Sequence, residues 1–132
     1  MNKENLKTLI ATVEEAGKKG EFDLNDYTHP CGSPACIAGY ADFLLGRGGT
    51  KSIRFGGSLQ NRRHIRREFH KSLAEYLDVH LYEACEIAEG FCDIDGINVE
   101  PRAKEAVQYL TGMLEAGRVI TWRNYVAFFG WD

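Results

Sequence analysis

No run of apolar residues in this chain approaches the roughly 20 that a helix needs to cross a bilayer, so no membrane-spanning helix and no membrane partner is expected. Met1-Asn2-Lys3-Glu4 leads into an amphipathic stretch and not into a signal peptide, which makes a cytoplasmic protein the expectation. In that setting the four cysteines read as free thiols. Proline is scarce, at three residues, and two of them, Pro34 and Pro101, stand where helices are expected to begin. Strand-like text is scarcer still. Lys51 to Phe55 is the stretch that would form a short strand or one arm of a hairpin.

The chain also lacks an excess of positive charge. Its net charge is −3 and its isoelectric point about 5.8, which argues against a general nucleic-acid binder. It has no Gly-Lys-Ser/Thr after its glycines, so there is no Walker-type phosphate loop. Asp93-Ile94-Asp95-Gly96 has the start of a calcium loop without the remaining ligand spacing, and reads as a turn. No pair of carboxylates stands out for general acid–base work, and no cofactor motif is present.

What is present is helical periodicity in a length of 132 residues, which fits a single domain over 1–132. The expected fold class is all-α: a compact bundle of five or six helices with a Gly-rich basic loop and at most one small hairpin. A first helix is expected from about Lys3 to Ala16, with Leu6, Leu9, Ile10 and Val13 on its buried stripe and Gly17 as its cap. The second is expected from Pro34, capped by Ser33, to about Leu45, with Gly46 ending it. It is apolar nearly all round and should be the most buried.

A third helix spans Leu59 to Leu77, buried through Ile65, Phe69, Leu73, Tyr76 and Leu77, with His64 and His70 exposed. A fourth runs from about Val79 or His80 to Gly90, capped by Asp78, with Leu81, Ala84, Cys85, Ala88, Phe91 and Cys92 inward. A fifth starts at Pro101 and stops at Gly117, with Ala103, Ala106, Val107, Leu110, Met113 and Leu114 inward. Thr121 caps a last helix, and the aromatic tail around Trp122, Tyr125 and Phe129 packs back on the body or forms a homo-oligomer contact.

Two stretches carry chemistry. His29, Cys31 and Cys36 are close enough in sequence for a metal site or a Cys–His pair, and Cys36 would sit in the first turn of its helix, where the dipole favours a thiolate. The simpler reading is that Cys36 is a small core residue and Cys31 packs the cap; no second ligand pair follows. The other stretch is basic. Arg47, Lys51, Arg54, Arg62, Arg63, Arg66, Arg67 and Lys71 stand against Glu68 alone. Gly56-Gly57-Ser58 precedes the third helix there, a place where backbone N–H groups can meet a phosphate. The candidate ligand-binding set is therefore Arg54, Gly56, Gly57, Ser58, Arg62, Arg63, Arg66 and Arg67. Arg62 is the odd member, since it continues the apolar stripe.

The run Cys31-Gly32-Ser33-Pro34-Ala35-Cys36-Ile37-Ala38-Gly39-Tyr40-Ala41 resembles one in a family of small helical proteins of tailed phages and bacterial genomes. A helical pair and a Pro-initiated helix followed by a Trp come next in that family. Asp78 to Phe91, Pro101 to Leu114 and Trp122 fill those places here, so the resemblance covers about 29 to 122. It departs at Tyr40, where Trp is commoner, and in the basic insert after Gly46. It implies fold and phage or bacterial origin, and brings no activity with it.

Three functions are expected in descending order. The first is a non-enzymatic interaction protein, such as a phage accessory or counter-defence factor, holding an anionic ligand or partner protein through 47–71. Arginine forks suit phosphate and carboxylate. The alternatives are a cysteine-dependent enzyme using Cys31 or Cys36 with His29, and a small metal-stabilised module.

Overall fold

The computed structural model of the chain describes residues 1–22, 36–46, 59–89, 103–121 and 124–125; the side chains of 59–66 and 89 lie outside that description. Five α-helices carry the described residues: α1 (Lys3–Lys18), α2 (Ile37–Leu45), α3 (Leu59–Leu77), α4 (Leu81–Glu89) and α5 (Ala103–Ala116). Among the described residues there is no strand; the expected hairpin near Lys51 and the Gly-rich loop lie outside them. No described helix is long and apolar enough to cross a membrane.

α1 packs against α5, α2 and α3, while α4 packs on α3. The periodicity explains why α1 meets three partners: Leu6, Leu9, Val13 and Ala16 recur every three or four residues and are all buried. Asn2 caps the helix, its side chain accepting from the Asn5 backbone N–H at 3.0 Å. The same turn is tied to the end of α3. Asn2 N–H donates to the Leu77 carbonyl at 2.6 Å and the Asn5 amide to the Tyr76 carbonyl at 2.7 Å. Two carbonyls that α3 leaves without helical partners are thereby satisfied.

Three helix ends differ from expectation. Gly17 does not cap α1; it lies inside the helix, which runs on to Lys18, and the turn to positive φ comes at Gly20. The second helix starts later than Pro34. Cys36 is extended and acts as N-cap of α2, its sulfur accepting from Gly39 N–H at 3.5 Å; Ser33 and Pro34 lie outside the described residues. Asp78 does not open α4. It closes α3 in the left-handed conformation at φ 54, with Val79 N–H donating to the Ala74 carbonyl at 2.9 Å, the bond of a Schellman turn. His80 takes the capping place at α4. Its carbonyl accepts from Ala84 N–H at 2.9 Å and its N–H donates to the Glu83 carboxylate at 3.1 Å.

The second helix has the largest share of buried residues among the described side chains, Ile37 to Asp42, although Phe43 at its far end is 61% exposed. On α4 the buried residues are Ala84 and Ile87, whereas Leu81 is exposed. On α5 Ala106, Leu110 and Met113 are buried as expected, and Tyr109 joins them, fully enclosed. Its hydroxyl donates to the Ile120 carbonyl at 2.5 Å, which fastens the segment after α5. Gly117 ends α5 at φ 70, as its type suggests. Thr121 then caps a further turn, its hydroxyl accepting from Asn124 N–H at 3.3 Å. That turn sets Tyr125 edge-on to Tyr109, with ring centroids 5.5 Å apart. Tyr125 thus packs back on the body; Trp122 and Phe129 lie outside the described residues.

Candidate functional site

The basic helix face is the first candidate. α3 is one uninterrupted helix from Leu59, so Arg62, Arg63, Arg66, Arg67 and Lys71 follow one another over its first four turns. Arg63, Arg67 and Lys71 share a register of one per turn. Arg67 is exposed. Lys71 is also exposed and pairs with Glu68 at 3.4 Å. The opposite register, Phe69, Leu73 and Leu77, is buried in the core. Of the remaining candidates, Arg62, Arg63 and Arg66 are placed as helix positions without described side chains. Arg54, Gly56, Gly57 and Ser58 lie outside the described residues.

The described ion pairs neutralise little of this charge. Lys7–Glu4, Lys18–Glu14, Lys19–Glu15 and Lys71–Glu68 each link exposed residues a single turn apart. Pairs of this kind contribute on the order of 0–1 kcal/mol.

The second candidate was the cysteine stretch. Cys36 forms no disulfide and is 6% exposed, with its sulfur turned to the helix N–H of Gly39. That is the geometry of a weak capping acceptor in the core. Its presence also helps push the neighbouring Tyr40 phenol up, after burial and the Glu21 charge. His29 and Cys31 lie outside the described residues.

Two polar contacts in the helix interfaces escaped the sequence reading. Asp42 of α2 and Ser72 of α3 are buried, and the Ser72 hydroxyl donates to Asp42 Oδ1 at 2.6 Å. An aspartate inside an otherwise apolar helix was the signal that could have found this pair. His70, expected outside, is 3% exposed, and its Nδ1 lies 3.2 Å from the sulfur of Cys85, a half-buried cysteine on α4 that forms no disulfide. His70 stands three residues before Leu73 and seven before Leu77, so helical periodicity already puts it on the inner side.

Between α1 and α5 an open groove of about 460 Å³ runs past Glu14, Lys18 and Lys104, which mix both signs of charge. Among the described residues no three His, Cys, Asp or Glu side chains gather as a metal site. Comparison with protein-family models, with curated proteins and with solved structures gave no match to this chain.

Proposed function

We propose that this chain is a non-enzymatic binding protein that holds an anionic partner through its basic segment, Arg47 to Lys71. The observation that carries this reading is the continuity of α3. A 19-residue helix with a buried register through Phe69, Leu73 and Leu77 keeps Arg63, Arg67 and Lys71 together on another register, and Arg67 stands in solvent. Basic positions that recur once per helical turn, about 5.4 Å, suit an anionic partner such as the phosphates of a nucleotide or nucleic acid or the carboxylates of an acidic protein surface. The resemblance of residues 29 to 122 implies phage or bacterial origin alone, and with that origin the reading takes the form of an accessory or counter-defence factor.

The test is a titration of the full chain with ATP, a labelled single-stranded oligonucleotide and an acidic peptide, each at two salt concentrations. Binding is expected to at least one probe, to weaken with salt, and to fall about tenfold or more in Arg63→Gln/Arg67→Gln. Affinity indifferent to both salt and these arginines, or binding to none of the three, would overturn the reading.

A further inference from the structure

We propose that Cys85 is a peroxide-reactive thiol and that His70 is the base that takes its proton. The two side chains come from different helices, α4 and α3, and meet at 3.2 Å between sulfur and Nδ1. With the ring proton on Nε2, Nδ1 accepts the thiol hydrogen. His70 is held almost wholly inside the protein, on the inner side of α3 beside Phe69 and Leu73. Cys85 is half-buried as a residue, whereas Cys36 is 6% exposed. The Asp42–Ser72 contact differs on this point, because both of its members are closed off from solvent.

A free thiol has a pKa of about 8.5, so only a few per cent is thiolate at neutral pH. An imidazole in contact removes that limit by accepting the proton during attack. A resting ion pair is not required for that transfer. In the step itself the thiol proton passes to Nδ1 and the sulfur attacks one oxygen of hydrogen peroxide. The S–O bond forms, the O–O bond breaks, and the departing hydroxide takes the proton from the imidazolium to leave water. Sulfur is oxidised by two electrons to sulfenic acid and the peroxide is reduced by two.

The experiment treats the full chain with hydrogen peroxide, traps sulfenic acid with dimedone and locates it by peptide mass. It is run on the native protein and again in urea. Cys85 is expected to be labelled several-fold faster in the native state than in the unfolded one, while Cys36, closed in the core, is labelled only after unfolding. His70→Asn should lower the native rate at Cys85 about tenfold or more with the helical circular dichroism unchanged. An unchanged or faster rate in the folded variant overturns the proposal. Should His70→Asn not fold, the unsubstituted chain decides alone: a native rate at Cys85 at or below the unfolded rate means that folding merely shields the thiol, and the proposal fails.

Discussion

Gly17 of α1 and Ala103 of α5 stand so close that a Cβ on Gly17 would lie 2.4 Å from the Ala103 Cβ. Real side-chain atoms do not approach to that distance, so the glycine sets the separation of the two helices. Gly17 therefore serves as a close-contact residue inside α1, although its type suggested a cap. Gly17→Ala gains helix propensity of up to about 1 kcal/mol but forces α1 and α5 apart, at a cost of about 1–3 kcal/mol. A net loss of stability is expected in urea unfolding. Ala103→Gly added to Gly17→Ala should recover most of it, because the double variant removes the clashing methyl. Equal loss in the single and double variants would show that the contact does not set the spacing.

Asp78 gives a prediction whose sign separates two roles. As a left-handed residue closing α3, it bears a Cβ cost of about 1–2 kcal/mol that glycine avoids. Asp78→Gly should therefore leave stability equal or raise it by up to about 1 kcal/mol, after the entropy glycine adds to the unfolded chain. Asp78→Val should lower it by about 1–2 kcal/mol. An N-cap of α4, the role first expected for Asp78, would show the opposite sign for glycine, a small loss. Thermal melts of the two variants distinguish them.

The contrast between α3 and its neighbours shows what could be read beforehand. The whole span Leu59–Leu77 was legible, because Phe69, Leu73, Tyr76 and Leu77 repeat over several turns and outweigh any single residue. Gly117 and Thr121 were legible as ends, since each terminal signal there has one reading. Asp78 has two: the residue suits an N-cap and also tolerates the left-handed conformation, and the choice depends on how α4 turns from α3. Gly17 was misread for the same reason, its role being set by Ala103, 86 positions away. At the candidate site the basic row was legible as composition. The inward place of His70 was not drawn out, because a polar residue type was weighed above its register.

Asp42 and Ser72 fix α2 against α3 through one short hydrogen bond between buried groups. Ser72→Ala leaves the size nearly unchanged and deletes the donor, so the carboxylate of Asp42 loses a partner where water does not reach it. A loss of about 1–3 kcal/mol is expected when a buried acceptor of this kind loses a hydrogen bond. Urea unfolding of Ser72→Ala measures it. A change within about 0.5 kcal/mol, the usual range for surface substitutions, would mean that the bond adds nothing to the α2–α3 contact.

Tyr109 links the core to alkaline stability. Its phenol is fully buried and donates to Ile120, and burial, with the Glu86 charge adding to it, pushes the group well above the ordinary tyrosine value of about 10. Tyr40, Tyr76 and Tyr125 are pushed up too, each chiefly by burial. The folded chain therefore keeps protons that the unfolded chain releases above about pH 10. The stabilisation is fully present below that pH and is lost as pH rises beyond it, by up to about 1.4 kcal/mol per pH unit for one such group. Tyr109→Phe removes the titrating group together with its hydrogen bond. At about pH 8 it should be less stable by about 1–3 kcal/mol, since the Ile120 carbonyl loses its donor. Above about pH 10 its stability should fall more shallowly than that of the unsubstituted chain, so that the two curves converge. Curves that stay parallel through the alkaline range would show that Tyr109 does not carry the pH dependence.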